Sequence, residues 1–304
     1  MKITFRGVRG SIPVPGSLTR LWGGNTSCIS IEGAGEDLII LDAGTGIRTI
    51  GTRLMDEKKY KNIHIFITHA HWDHIQGLPF FEPLYSSNFT IHFYSAIRKD
   101  FHCRDIISKV MKPPYFPYTI DDWKAVVHFH DIIPGTDVQI PGCRISSAKL
   151  NHPWDATAFR ITAADKSCVY VTDTAPFDHM ILSWDFVGRA PDLTSMPLTD
   201  EAPDLARMKS DLVNLCRNSD MVIYDTMFLD SDYNRNPHWG HSTPSHAIEI
   251  CKEANVNQLV LFHHSPDRSD EALDIIKKDF AAYPDLKVFV ARELLTLDLN
   301  KEGK

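Results

Sequence analysis

A chain of 304 residues, 43% of them hydrophobic, can bury a sizeable core as one large domain or two small ones, and its composition is that of an ordinary globular protein. Thirty-two basic residues against 39 acidic ones leave a formal charge of −7, which repels a polyanion at long range and disfavours a large nucleic-acid partner unless a local basic patch overrides it. The six cysteines, Cys28, Cys103, Cys143, Cys168, Cys216 and Cys251, form no CxxC and no close pair, which argues against a zinc ribbon and a disulfide framework and for reduced, packed thiols.

From Met1 the chain goes straight into strand pattern, and no apolar run reaches membrane-spanning length, so a cytoplasmic protein without a membrane partner is the simplest inference. Ile3 to Val8 reads as a strand, followed by the Gly/Pro turn Gly7 to Pro13. Strands at Cys28 to Ile31 and Leu38 to Leu41 flank the turn Glu32-Gly33-Ala34-Gly35. The second ends in Asp42-Ala43-Gly44-Thr45-Gly46, after which Ile47, Ile50, Leu54 and Met55 keep helical spacing. Asp42 reads either as a turn or cap residue or as a support behind the loop that comes next.

That loop is Thr68-His69-Ala70-His71-Trp72-Asp73-His74, directly after the β-branched run Ile63 to Ile67, which reads as a buried strand. Chemistry at the carboxyl end of a strand is where open sheets place it. His69 and His71 point the same way across the small Ala70, so both imidazoles can reach one ion at about 2.0 to 2.1 Å. Asp73 and His74 point elsewhere and suit a second ion, and paired ions about 3.5 to 4 Å apart are a hydrolytic device. The plain alternative is a set of solvated loop histidines.

Beyond the loop, Gly77 to Phe81 begins as a helix and Phe89 to Tyr94 is a strand. Ser95 to Trp123 holds a helical piece at Phe101 to Met111 and the proline-rich Lys112 to Tyr118, either a rim near the site or a structural excursion. Strands at Val126 to Phe129, Asp137 to Ile140 and Arg144 to Leu150 lead to Asn151-His152-Pro153-Trp154. The strand pair Phe159 to Ala163 and Cys168 to Val171 delivers Thr172-Asp173-Thr174. Phe177 to Pro203 loses periodicity and reads as an insertion or long loop. Helix pattern returns at Asp204 to Arg217, then a strand from Met221 runs into Tyr224-Asp225. In Trp239-Gly240-His241-Ser242-Thr243-Pro244, Thr243 is a helix N-cap and Pro244 the first helical residue of a helix to about Ala254. Strand Gln258 to Phe262 ends at His263, a helix spans Asp270 to Tyr283, and Leu286 to Ala291 closes the chain as a strand. No internal repeat or linker is evident, which favours one domain over residues 1–304 with insertions at about 95–123 and 177–203.

The residues His69, His71, Asp73 and His74 resemble the signature of the metallo-β-lactamase superfamily, and His152, Asp173 and His263 follow in the order that superfamily uses. Phe5 to Pro13, Leu41 to Gly46, Asp173 to Pro176, Tyr224 to Phe228, Gly240 to Thr243 and Leu261 to Ser265 together are similar to its ribonuclease Z branch, which also contains cyclic-phosphate and cyclic-nucleotide phosphodiesterases. The resemblance implies an α/β fold of the αββα sandwich type, two mixed β-sheets flanked by helices. It implies that His69, His71 and His152 hold one divalent ion, that Asp73, His74 and His263 hold another, and that Asp173 bridges. Imidazole and carboxylate donors without thiolate suit Zn²⁺, with Mn²⁺ or iron open by ligand type. A hydroxide held between two such ions is a nucleophile at neutral pH, with Asp73, itself a ligand, counted among the catalytic residues. The resemblance makes His241 the general acid and gives the position of Asp225 to an acidic residue that supports it, more often Glu in the family. Ser242 and Thr243, in a turn before a helix N-terminus that favours an anion, are candidate substrate-binding residues.

The expected activity is therefore phosphodiester hydrolysis. The tRNA enzymes of the branch carry a protruding arm between the third histidine and the bridging aspartate, and here only residues 153 to 172 lie between His152 and Asp173. With the charge of −7, this points first to a small phosphodiester such as a cyclic nucleotide, with tRNA 3′-end cleavage as the alternative. Trp154, Tyr115, Phe116 and Tyr118 either stack a base or pack as core or lid. A thioester or lactone hydrolase shares HxHxDH but has no need of Asp225 with the Gly-His-Ser-Thr turn, and a non-catalytic binding protein would bury a ligand set without use for it. By analogy with the family a homodimer is open, with the two irregular segments as contact surfaces.

Overall fold

A computed structural model of the chain describes residues 1–97, 101–153, 156–178, 204–233 and 239–301. Among these residues, fourteen strands form two seven-stranded mixed sheets. The first contains β1 (Lys2–Gly7), β2 (Cys28–Glu32), β3 (Leu38–Leu41), β4 (Asn62–Ile67), β5 (Thr90–Ala96) and β6 (Val126–Ile132), in that order, with β14 (Thr296–Asp298) on its outer edge beside β1. The second runs from β7 (Val138–Ile140) through β8 (Cys143–Lys149), β9 (Thr157–Ala163), β10 (Lys166–Val171), β11 (Met221–Asp225) and β12 (Gln258–Phe262) to β13 (Lys287–Val290). In each sheet four neighbouring strands are parallel, β3 to β6 and β10 to β13, and the rest antiparallel.

Side-chain alternation builds the layers. On β4, Phe66 joins Ile3, Ile29, Leu41, Phe159 and Tyr170 in the core between the sheets, while Ile63, Ile65 and Ile67 point the other way. There they meet Ile47, Ile50 and Leu54 of α1 (Ile47–Glu57) and Cys103 and Ile107 of α3 (Cys103–Val110). Between these helices lies the single turn α2 (Trp72–Ile75). The outer face of the second sheet is covered by α4 (Leu205–Cys216), α6 (Pro244–Glu253) and α7 (Asp270–Phe280), with the short α5 (Asp230–Tyr233) between α4 and α6 in the chain. Thr243 caps α6 and Ser269 caps α7, each accepting a backbone N–H of the first turn. All six cysteines are free and buried. Among the described residues no helix is long and apolar enough to cross a membrane.

Two expectations need adjusting. The chain does not close on the strand at 286–291, because β14 (Thr296–Asp298) follows and pairs with β1. Three residues, one exposed and two half-buried, carry too little alternation to be seen in sequence. The segment from Gly77 forms two 3-10 turns, Leu78–Phe80 and Glu82–Tyr85, each with a proline at its start, rather than a helix. Of the segment expected to be irregular at 177–203, residues 179–203 lie outside the described residues, as does Trp154.

One histidine group has nothing to do with the strand ends. His64, His92 and His128 are cross-strand partners on β4, β5 and β6, with stacked rings 4.8 Å apart at each step. His130 stacks on Tyr94 and approaches His92, ring nitrogen to ring nitrogen, at 3.1 Å. His64 pairs with Asp37 at 3.1 Å, and Asp131, beside His130, pairs with His102 at 2.7 Å. Burial, then the neighbouring imidazoles, push His92 down to about 4, and burial lowers His64 and His130 as well. Depressed histidine values favour the folded state while the rings are neutral, so stability should decline as pH falls from 6.5, the ordinary histidine value, toward about 4. Chemical denaturation at pH 7 and pH 5 should show this decline, with His92→Gln reducing it, and an equal decline in both proteins would refute the account.

Candidate metal centre

The site forms where the carboxyl ends of the parallel strands of both sheets meet. β4 ends at Ile67, the chain bends at Thr68, and His71 is extended, with φ −66° and ψ 151°. The α2 turn then reverses the chain and brings the His74 ring to 4.3 Å from that of His69, so the two do not point apart as the spacing predicts, and they differ instead in which Asp173 oxygen each meets. The loop is pinned by Ala43 N–H donating to the His74 carbonyl (2.7 Å) and Gly77 N–H to the Ala43 carbonyl (2.9 Å).

Three groups of donors result among the described residues, the smallest being Asp173, Asp225 and His241. His69, His71, His152 and Asp173 have ligand atoms all within 4.8 Å of one another, and so do Asp73, His74, Asp173 and His263. These two are the sets that the resemblance implies, and Asp173 belongs to both. Its Oδ2 lies 3.5 and 3.6 Å from Nε2 of His69 and His152, and its Oδ1 lies 3.3 Å from His74 Nε2 and 3.2 Å from His263 Nδ1. His71 Nδ1 stands 2.9 Å from His69 Nε2 and 3.1 Å from His152 Nε2. Two ligands about 2.1 Å from one ion, near a right angle, would stand about 3 Å apart.

The opposite side of four of the rings is held. His74 Nδ1 donates to Asp42 Oδ2 (2.8 Å). Asp42 also accepts from Thr68 N–H (2.8 Å), Thr68 Oγ1 and Tyr170 OH (2.9 Å), so the reading of Asp42 as a support behind the loop is the one its contacts bear out. His69 Nδ1 lies 3.1 Å from Thr68 Oγ1, which puts that ring on the same carboxylate through one hydroxyl. His152 Nδ1 donates to the Gly240 carbonyl (2.8 Å), Ser27 Oγ lies 3.1 Å from His263 Nδ1, and Ser11 N–H donates to Asp73 Oδ2 (2.8 Å). Held in this way, His69, His74 and His152 turn Nε2 inward. Nε2 of His74 and of His263 is buried with no hydrogen-bond partner, a cost that a cation would remove. A divalent ion therefore fits both donor groups.

Charge follows the same arrangement. Burial lowers His69, His71 and His152, favouring the neutral rings that can ligate. His74 is also buried, but Asp73, Asp173 and Asp42 together raise it well above the ordinary range. Asp73 and Asp173 are held below the usual carboxylate range against their burial, by His74 and His263 foremost.

Asp225 ends β11 and is fully buried, and its Oδ2 accepts from His241 Nδ1 at 2.9 Å, so the shorter carboxylate reaches the ring. Asp225 is fixed by the N–H groups of Thr174 and Met227. The His241 ring stands 5.3 Å from that of His152 and 5.1 Å from that of His263. Burial would lower His241, but Asp225 outweighs it and raises the ring to about 9. Ser242 and Thr243 are brought beside this pair but fully buried. Ser242 Oγ donates to the Thr174 carbonyl (2.6 Å) and Thr243 Oγ1 to Asp230 Oδ1 (2.5 Å), so both hydroxyls hold the turn.

Sequence reasoning passed over Ser27, Thr68, Tyr170 and two glycines. A Cβ on Gly240, at φ +82°, would lie 2.5 Å from His152 Nδ1, and one on Gly10 would lie 2.4 Å from His263 Nε2. Both glycines stood inside the quoted motifs, the only signal available. Asp42, Asp173 and His263 themselves have φ of 57°, 48° and 61°. Such left-handed conformations cost on the order of 1 to 3 kcal/mol each and cluster at functional sites.

Gly10→Ala should displace His263, lower bound metal from two toward one equivalent per chain by elemental analysis, and destabilise by about 1 to 3 kcal/mol. Full metal content in that variant would show that the contact does not position the ring.

The chain matches the family described as the beta-lactamase superfamily domain over residues 38–199 and 202–264. It is 22% identical to the ribonuclease Z of Archaeoglobus fulgidus, over 98% of each chain. Among solved structures, the metallo-β-lactamase fold protein YhfI from Bacillus subtilis aligns with a TM-score of 0.63 at 19% identity, covering 97% of this chain and 98% of that one. The human tRNase Z, short form, aligns with 0.62 at 19% identity, covering 98% and 99%. The chain belongs to the β-lactamase superfamily, in the metallo-β-lactamase fold and the ribonuclease Z-like branch.

Proposed function

We propose that this hydrolase cuts phosphodiester bonds, with His69, His71 and His152 holding one divalent cation, Asp73, His74 and His263 a second, and Asp173 facing both. Zn²⁺ suits imidazole and carboxylate donors, with Mn²⁺ next. Two such cations would supply a hydroxide nucleophile at neutral pH and neutralise charge on the phosphate oxygens. The chain's own contribution is the proton for the leaving oxygen. The observation that carries this reading is the buried His241–Asp225 pair at 2.9 Å, beside rings of both donor groups. Raised to about 9, His241 is a protonated donor at neutral pH. A thioester hydrolase has less need of it, because a thiolate leaves without a proton donor.

For the substrate, the names of the relatives support RNA, with cleavage at a precursor tRNA 3′ end ahead of the small cyclic phosphodiester that length and charge favour. A specific observation keeps the second reading: residues 157–171, between His152 and Asp173, are taken up by the β9–β10 pair, leaving no room for a protruding arm there. Parallel assays of metal-loaded protein on precursor tRNA and on 2′,3′- and 3′,5′-cyclic nucleotides separate the two.

His241→Ala should retain metal yet lose about 10²- to 10⁴-fold in turnover of a dinucleotide, whose alkoxide needs a proton, and far less with bis(p-nitrophenyl) phosphate, whose phenolate leaves unaided. Equal losses on both esters would refute the proton-donor role. Because activity needs the protonated ring, dinucleotide turnover should fall as pH rises through the His241 value. Asp225→Asn should move that alkaline limb to lower pH, and an unmoved limb would separate Asp225 from the acid.

A further inference from the structure

Outside the donor groups, a cavity of about 310 Å³ opens between α2 and α3. Its walls are Trp72 and Ile75 on one side and Phe101 and Ile106 on the other, with His71 at its margin and Lys109 beside it. His71 thus belongs both to this cavity and to the first donor group. The walls are mainly apolar, and Trp72, set between His71 and Asp73, leaves 62% of its surface exposed. Lys109 Nζ lies 3.7 Å from the centre of the Phe101 ring, and among the described residues no carboxylate pairs with it. His241 takes no part in this cavity; it stands against His152 and His263.

We propose that this cavity takes one nucleobase of the substrate, that of the nucleoside retained on the phosphate, stacked on Trp72 with a base carbonyl turned toward Lys109. The inference rests on the phosphodiesterase reading and adds a subsite to it. The leaving oxygen faces the proton donor, so the ester arm that keeps the phosphate is the one free to extend along the His71 side. About 310 Å³ is at the low end of ligand cavities, enough for a ring system and too small for a whole nucleotide. An exposed indole presents a face on which a base stacks. A lone ammonium at an apolar wall suits a keto edge, as in lysine contacts to guanine O6 and N7. An aliphatic ligand would use neither the indole face nor the cation.

The test compares thymidine 5′-(p-nitrophenyl phosphate) with methyl p-nitrophenyl phosphate, which share a leaving group that needs no acid and differ only in the retained arm. The ratio of their kcat/KM values should favour the thymidine ester, fall about tenfold in Trp72→Ala, recover in Trp72→Phe and fall in Lys109→Met. A second readout needs no turnover: thymidine should quench tryptophan fluorescence in the unsubstituted protein and not in Trp72→Ala. Turnover with an unchanged ratio in every variant, and no Trp72-dependent quench, would overturn the subsite and leave the phosphodiesterase reading standing. A Trp72-dependent quench with neither ester cleaved would support the subsite and count against that reading.

Discussion

The carboxylate of Asp42 holds the architecture of this site together. It sits at the end of β3, fully buried, and accepts hydrogen bonds from the backbone and hydroxyl of Thr68, from His74 and from Tyr170 of the opposite sheet. One anion thereby joins the histidine loop to both layers of the sandwich. It orients His74 directly and His69 through Thr68, which places it behind both donor groups at once. Its left-handed backbone, φ 57°, is a conformation that aspartate tolerates better than most residues.

From that anchor the remaining geometry follows as a problem of burial. Six imidazoles and three carboxylates, counting the His241–Asp225 pair, are packed where water has little access. Five of the six rings, all but His71, are tied on one side to a carbonyl, hydroxyl or carboxylate, which leaves the other nitrogen facing the interior. The unpartnered Nε2 atoms of His74 and His263 show how strongly the fold commits to this. A fold that spends local backbone strain at Asp173 and His263 as well has selected these directions over local comfort.

The cleft is asymmetric, and the asymmetry bears on substrate. On one side stands a buried hydrogen-bonded pair, His241 with Asp225, among hydroxyls turned inward to hold the loop. On the other, His71 leads to an apolar recess with an exposed indole and a single cation. A phosphodiester has two chemically distinct arms, and a site with two unlike sides can tell them apart. The relatives' names draw the substrate toward RNA while the tight β9–β10 connection and acidic balance draw it toward something small, and a subsite for one base is compatible with either.

The primary structure by itself determined the strand-then-ligand rhythm, because each ligand follows a short apolar run, and the histidine loop, because four donors lie within six residues. The helix cap at Thr243 was legible for the same reason: it depends on neighbours along the chain. What the chain could not disclose were relations between residues far apart in sequence. Asp42 was equally a turn residue until Tyr170 and His74 were seen to converge on it. Gly10 and Gly240 were ordinary turn glycines until the rings of His263 and His152 filled the space beside them. Ser242 and Thr243 looked available to a substrate until Thr174 and Asp230 were found at hydrogen-bond distance. The stacked ladder of His64, His92 and His128 exists only through the register of three strands. Local propensity and ligand spacing are written in the order of residues, whereas burial, ring orientation and close approach are properties of the packed interior, and only folding decides them.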